Sequence, residues 1–164
     1  MHTIARHSRA EAVSSASAEA VWRIVADVAR VGEWSHECIG ARWVGGCDRA
    51  ALGARFRGRN RSGIIRWSRT CAFTVVDRPR ELVWITGGLL GLGDRTEWRV
   101  VLEPVEGGTR IVQTYDVVHA APGIDRFYGT FVKAHRDRRE ALTGDLQRLA
   151  ALAAAEEAPE HPAA

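Results

Sequence analysis

The hydrophobic residues of this chain repeat with a period of two through its middle and with a helical period near its end. Short segments rich in Val, Ile, Thr and Trp are separated by Gly, Pro and Asp at 40–45, 53–61, 65–77, 81–87, 95–104 and 109–119. A further alternating segment at 9–15 precedes them. Such spacing is typical of antiparallel hairpins. From about Gly123 the apolar residues follow one helical stripe, which predicts a long helix over 123–154 with a single face to bury.

Helical signals also follow the first strand. Ser17 is placed as an N-cap, and Val21, Trp22, Val25 and Val28 follow at helical spacing, which predicts a helix of about three turns. A second short helical turn is expected at 33–35, after Gly32. The predicted architecture is therefore α+β, with a curved antiparallel sheet of about seven strands that grips the long C-terminal helix.

Length and composition favour one domain. A chain of 164 residues that is 46% hydrophobic suits a single core over 9–154, with a flexible tail at 1–8 and a disordered tail at 155–164. No apolar stretch of about 18 residues and no secretory leader pattern is present, so we expect a cytoplasmic protein without a membrane partner. Cys38, Cys47 and Cys71 lack C-x-x-C spacing, which predicts neither disulfides nor a zinc site.

Alternation also assigns each strand residue to one face. In 55–61 the four arginines are expected outside, with Phe56, Gly58 and Asn60 inside. The same rule turns Gln113 and Tyr115 inward. An inward polar group without a partner costs roughly 1–3 kcal/mol, so each needs a ligand, a trapped water or a protein partner.

The order of several short motifs resembles a known family. They are the run Ser17-Ala18-Glu19-Ala20-Val21-Trp22, Asp27, Glu33-Trp34-Ser35, the 53–61 segment, Trp67, Thr96-Glu97-Trp98-Arg99 and Gly107-Gly108-Thr109. Over about 9–150 the chain resembles the polyketide cyclase/dehydrase-like branch of the START and SRPBCC superfamily of helix-grip proteins. Similar proteins often have Pro where this chain has His36. The resemblance implies a pocket for a hydrophobic molecule, and it associates the fold with lipid binding and secondary metabolism.

Candidate site residues follow from the inward faces and from the helical stripe. The expected ligand-binding residues are Trp34, Phe56, Asn60, Trp67, Phe73, Trp84, Trp98, Gln113, Tyr115, Phe127, Phe131 and His135. The candidate catalytic residues are Tyr115, His135 and Arg69. Arg69 faces inward if the alternation of its strand is unbroken, where its guanidinium would suit a carboxylate or phenolate, and a bulge would turn it outward.

Other kinds of site are not favoured. His36, Glu37 and Cys38 are consecutive and point to opposite faces, so no metal site is expected, and no cofactor is predicted. The glycine-rich segment 87–93 matches no nucleotide-binding pattern and predicts a hairpin loop at the pocket mouth.

Three functions remain open at this point. The first is binding of a hydrophobic, aromatic or polycyclic small molecule by a carrier, sensor or sequestering protein, which is a monomer or a homodimer. The second is a polyketide aromatase/cyclase, although no nucleophilic triad or paired carboxylates require an enzyme. The third and weakest is a nucleic-acid or protein interaction through Arg55, Arg57, Arg59 and Arg61. An exposed arginine row more simply keeps a sheet solvated, so nucleic acid is not favoured.

Overall fold

The computed structural model describes residues 4–87, 93–120, 123 and 137–158. Within them, one antiparallel sheet of seven strands has the order β1-β7-β6-β5-β4-β3-β2. Its strands are β1 (His7–Ser14), β2 (Cys38–Val44), β3 (Arg55–Ser62), β4 (Ile65–Asp77), β5 (Glu81–Thr86), β6 (Arg95–Val105) and β7 (Gly108–His119). Every pair of neighbours except β1–β7 is consecutive in sequence, as in a meander of hairpins. The predicted α+β helix-grip fold is confirmed.

Two short helices follow β1, as predicted, but their boundaries differ from the prediction. Helix α1 (Ala18–Val25) begins after Ser17, whose hydroxyl accepts a hydrogen bond from the amide of Ala20 at 3.2 Å. It is eight residues long because Asp27 caps a separate 3-10 helix (Val28–Glu33), accepting from the amide of Ala29 at 3.1 Å. Val28 therefore belongs to the second helix, which starts earlier than the predicted turn at 33–35.

The C-terminal helix α2 (Arg139–Glu157) extends three residues beyond its predicted end at Ala154. Its last turn is held by contacts with the N-terminal helices: Glu156 pairs with Arg30, and Glu157 accepts from the amide of Ser17 at 2.7 Å. Residues 155–157, expected in a disordered tail, are thus helical. The start predicted at Gly123 cannot be compared, since 124–136 lie outside the described residues. At the other end His7 and Ser8, expected in a tail, pair with β7 as the start of β1.

The core lies between the concave face of the sheet and the two α-helices. Leu142, Leu146 and Leu149 on α2 are all at most 3% exposed and pack in the same cluster as Ile111 of β7. The hydroxyl of Ser14 in β1 donates to the carbonyl of Ala150 at 2.7 Å, which fixes α2 against the sheet. No helix in the described ranges is long and apolar enough to cross a membrane.

Candidate functional site

An aromatic ladder crosses the concave face of the sheet. One aromatic side chain on each of six adjacent strands contacts the next, in the order Trp43, Phe56, Phe73, Trp84, Trp98 and Tyr115. Successive ring centroids are 6.3, 5.1, 6.3, 6.3 and 4.9 Å apart. Most of these rings are brought together by direct cross-strand pairing, such as Phe73 with Trp84 and Trp84 with Trp98. The result is a continuous aromatic wall.

This wall borders a cavity of about 190 Å³. A cavity of about 150 Å³ can hold benzene, so the space suits at least one aromatic ring. Nine of the predicted ligand-binding residues line it: Trp34, Phe56, Asn60, Trp67, Phe73, Trp84, Trp98, Gln113 and Tyr115. The other three, Phe127, Phe131 and His135, lie outside the described residues, as does the loop segment 88–92. The first turns of α2 contribute Leu142 and Asp145 to the lining.

Gln113 places an unpaired side-chain carbonyl oxygen in this cavity. Its side chain belongs to β7 and is 3% exposed, and its Oε1 atom is buried without a hydrogen-bond partner among the described residues. The indole Nε1 of Trp34 is also buried without a hydrogen-bond partner among the described residues. The sequence leaves ligand, water and protein open as partners for Gln113, and among the described residues no protein group donates to its Oε1 atom.

Tyr115 already has a protein partner. Its hydroxyl donates to the carbonyl of Ala5 at 3.0 Å. Burial raises the pKa of this hydroxyl above its ordinary value, although the nearby Arg138 guanidinium acts in the opposite direction. As a candidate catalytic acid, Tyr115 is therefore both engaged and hard to ionise.

Arg69 lines the cavity, and this settles an orientation that the sequence left open between unbroken alternation and a bulge. The β4 irregularity lies further along, between Phe73 and Val75. The guanidinium is held on both sides: Nη2 donates to Oδ2 of Asp94 at 2.6 Å, and Nη1 donates to the carbonyl of Gly87 at 3.1 Å. Both ionic side chains are at most 15% exposed. An anionic ligand would have to compete with Asp94 for this arginine.

A second buried ion pair was not predicted from the sequence. Arg138, just before α2, donates through Nη2 to Oε2 of Glu37, and the two side chains are 13% and 11% exposed. Its guanidinium carbon lies 5.2 Å from the Trp98 ring centroid and 5.4 Å from that of Tyr115, within the range of cation–π attraction. Arg138 lies within the helix predicted over 123–154, but no local pattern pairs it with Glu37.

A histidine–aspartate pair completes the polar lining. The Nδ1 atom of His36 lies 2.8 Å from Oδ2 of Asp145, and the His36 amide donates to Oδ1 of the same carboxylate at 2.8 Å. Arg148 also pairs with Asp145, which is 2% exposed. If Nδ1 carries the proton that this carboxylate accepts, Nε2 carries the free lone pair. A buried acid on the apolar stripe of α2 is the sequence signal that would have found this pair.

The three cysteines are free thiols, of which Cys71 is buried and Cys38 and Cys47 are half-buried. Burial raises the pKa of the Cys71 thiol to about 12 and also raises that of Cys38. Within the described residues, no three side chains of the types His, Cys, Asp and Glu come together as a potential metal site.

The comparisons with known proteins agree with this geometry. The model of the family described as "Polyketide cyclase / dehydrase and lipid transport" matches residues 5–154. Among solved structures, an aromatase/cyclase from a Streptomyces species is 16% identical, with 90% of this chain and 93% of that chain covered and a TM-score of 0.70. A protein from Thermus thermophilus is 21% identical, with 93% and 99% covered and a TM-score of 0.67.

A polyketide cyclase-like protein from Corynebacterium glutamicum is 24% identical, with 94% and 96% covered and a TM-score of 0.56. At these identities the solved structures show a shared fold. No curated protein sequence matches the chain. The family match spans nearly all of the described residues, and the sheet, the helices and the aromatic-walled cavity fit the predicted resemblance. The chain belongs to the polyketide cyclase/dehydrase and lipid transport family, within the START and SRPBCC superfamily.

Proposed function

We propose that this protein reversibly binds a hydrophobic, aromatic or polycyclic small molecule in the cavity, as a carrier, a sensor or a sequestering protein. The observation that carries the proposal is the side-chain carbonyl oxygen of Gln113, Oε1, which is buried without a hydrogen-bond partner among the described residues. Leaving such a group unsatisfied costs about 1–3 kcal/mol. A ligand with a hydrogen-bond donor, such as a hydroxyl, would recover part of that free energy.

The aromatic ladder supports a flat ligand. Trp84 and Trp98 are inclined by only 6° to each other, so their faces offer parallel surfaces at one side of the cavity. Aromatic pairs contribute about 0.5–1.5 kcal/mol beyond the area that they bury. In the described part of the lining every Arg, Asp and Glu has an ionic partner, so the cavity favours a ligand without net charge.

Tryptophan fluorescence tests this proposal directly, because four of the six tryptophans line the cavity: Trp34, Trp67, Trp84 and Trp98. The protein is titrated with a panel of aromatic polyketides, sterols and fatty acids. We expect saturable quenching or a spectral shift with the flat aromatic members. Mass spectrometry of the recovered ligand should then show it unchanged. No response to any member of the panel would overturn the proposal.

A second candidate function is that of a polyketide aromatase/cyclase, the activity named for the similar Streptomyces structure. The observation that favours it is the His36–Asp145 pair at the cavity, since an imidazole oriented by a carboxylate can act as a general base. The cavity would fold a poly-β-keto chain, and His36 would remove a proton from the carbon that attacks a ketone. Loss of water would follow.

Conversion distinguishes the two functions. Incubation with a poly-β-keto thioester mimic should release product lighter by one water if the protein is a cyclase. The His36→Gln variant should then lose conversion while it still binds the mimic. Binding of the mimic by the wild-type protein without any loss of water would exclude the cyclase and support the binding function.

For either function we propose a cytoplasmic location, where free thiols stay reduced.

A further inference from the structure

The β3–β4 hairpin has different chemistry on its two faces and at its tip. On the concave face Asn60 and Trp67 are directly paired across the strands and both line the cavity. On the convex face Arg61 and Arg66 are directly paired. The connection between the strands is only two residues long, Gly63 and Ile64. This one hairpin therefore joins the cavity wall to an outer surface.

Ile64 at the hairpin tip is 99% exposed. The φ angle of Gly63 is 59°, a left-handed value that glycine adopts without strain and that permits so tight a turn. The two-residue turn projects the isoleucine away from the sheet. A single exposed apolar residue is ordinary on a protein surface, but this one is flanked by paired arginines.

Six arginines cover the convex face of the adjoining strands, and we call them the outer arginine face: Arg42, Arg55, Arg57, Arg59, Arg61 and Arg66. Side chains of directly paired residues lie on the same face, and Arg42 pairs with Arg57 as Arg61 pairs with Arg66. None of the six forms an ion pair with a carboxylate of the described residues. By contrast, Arg99 on β6 is paired with Glu81.

Like charges placed opposite each other destabilise a sheet, so this arrangement carries a cost that an anionic partner would offset. We propose that the hairpin tip and the outer arginine face dock on an anionic phospholipid surface, with Ile64 inserted at the headgroup boundary and the arginines against lipid phosphates. Basic residues around an apolar anchor are the combination that binds such surfaces. A nucleic acid would use the arginines and leave Ile64 without a role.

The hairpin tip lies close to the cavity wall, so docking there would bring the cavity near the lipid. Asn60 and Trp67 lie three to four residues from the tip, so the cavity wall adjoins the surface that would meet the lipid. A hydrophobic ligand could then enter or leave without crossing water. The sequence predicted no membrane partner because no spanning segment is present, but docking on a surface needs no such segment. The docking itself is independent of the proposed ligand.

Vesicle sedimentation of the full chain tests the proposal. Wild-type protein is mixed with phosphatidylcholine vesicles that contain about one third phosphatidylglycerol, and with vesicles of phosphatidylcholine alone. We expect binding only to the anionic vesicles, and at least about tenfold weaker binding for Ile64→Asp, because an anchor of this size is replaced by a charge. The double variant Arg61→Gln/Arg66→Gln should lose a similar factor.

Two matched controls come from the same chain. Leu52→Asp alters another exposed apolar residue, 78% exposed in the β2–β3 loop, and Arg23→Gln/Arg49→Gln removes the same charge elsewhere. Both should bind the vesicles as wild type does.

Absence of vesicle binding by the wild type, or equal effects of the control and test variants, would overturn the proposal. Salt-sensitive retention of duplex DNA that Ile64→Asp leaves unchanged, without vesicle binding, would assign the face to nucleic acid instead. In Ile64→Asp the ligand should still quench the tryptophan fluorescence. Loss of vesicle binding can therefore be told apart from loss of ligand binding.

Discussion

Gln113 carries a buried polar atom that is unfavourable for folding and that the proposed ligand would pair. It is 3% exposed on the concave face, paired in register with Val100 of β6 and Ala10 of β1, both of which are small or apolar. Selection for stability alone would favour an apolar residue of similar volume at this position. The buried Oε1 atom of Gln113 is thus the residue-level observation that most supports the proposed binding of a ligand with a hydrogen-bond donor.

Replacing Gln113 with Leu should therefore separate stability from binding. We expect the ligand-free variant to gain about 1 kcal/mol in its free energy of unfolding, because the desolvated amide is removed at nearly constant volume. Affinity for hydroxylated aromatics should fall by about tenfold, while affinity for the matching hydrocarbons stays the same. Urea unfolding and tryptophan titration measure the two effects.

Thr109 is the control, since it lies on the same strand but has its partner. Its hydroxyl donates to the carbonyl of Ala16 at 2.8 Å and it is completely buried. Thr109→Val should lose about 1 kcal/mol of stability and leave ligand affinity unchanged. A destabilised Gln113→Leu variant would mean that the amide has a partner in the folded protein.

Cys71 makes a prediction about alkaline pH. Its thiol pKa is raised by burial from 9.0 to about 12, so between these values the unfolded chain loses a proton that the folded protein retains. The free energy of unfolding should consequently fall by about 1.4 kcal/mol per pH unit above about pH 9. Cys71→Ala removes this contribution, so the stability of wild type should decline more steeply than that of the variant. Parallel curves in urea unfolding from about pH 8 to 10.5 would show that the thiol ionises in the fold.

At the scale of elements, the sequence predicted the face of each strand but not the partners of its charges. The period of two placed Asn60 and Gln113 inside, because pleating alone decides that orientation, and it left Arg69 open between the inward position and a bulge. The pairing of Arg138 with Glu37 and of His36 with Asp145 joins residues 101 and 109 positions apart. Such contacts depend on how α2 lies against the 3-10 helix and β2, which no local pattern encodes.

The end of α2 was also missed for a tertiary reason. A run of Ala and Glu has no apolar period, yet its glutamates reach the N-terminal helices. The carboxylate of Glu157 accepts from both the amide and the hydroxyl of Ser17, at the positive end of α1. Glu156 shares Arg30 with Glu33.

Truncation tests whether this last turn belongs to the domain. A chain ending at Ala154 should lose about 1–2 kcal/mol of stability, because Ser17 loses Glu157, Arg30 loses one of its two carboxylate partners, and the last turn of α2 loses its closing hydrogen bonds. A chain ending at Ala158 should unfold at the same temperature as the full chain. Thermal unfolding followed by circular dichroism compares them. Equal midpoints for both truncations would place the domain boundary at Ala154, as the sequence alone suggested.

For the whole molecule, the important feature is the separation of paired from unpaired charge across one sheet. Inside, Arg69 and Arg138 are each held by a buried carboxylate. Outside, the outer arginine face has no carboxylate partner among the described residues. This distribution of charge supports the proposed neutral ligand on the concave side and the proposed anionic surface on the convex side, and the β3–β4 hairpin belongs to both.

Salt should consequently affect the two proposed interactions differently. Raising sodium chloride from about 0.05 to 0.5 M shortens the screening length from over 10 Å to a few ångströms, which weakens exposed cation–phosphate attraction but hardly affects burial of a neutral ligand. We expect vesicle binding to fall by more than about tenfold and the ligand dissociation constant to change less than about twofold. Sedimentation and tryptophan titration on one protein preparation measure both. A ligand affinity that falls with salt as steeply as vesicle binding would mean that an anion enters the cavity and displaces Asp94 or Glu37 from its arginine.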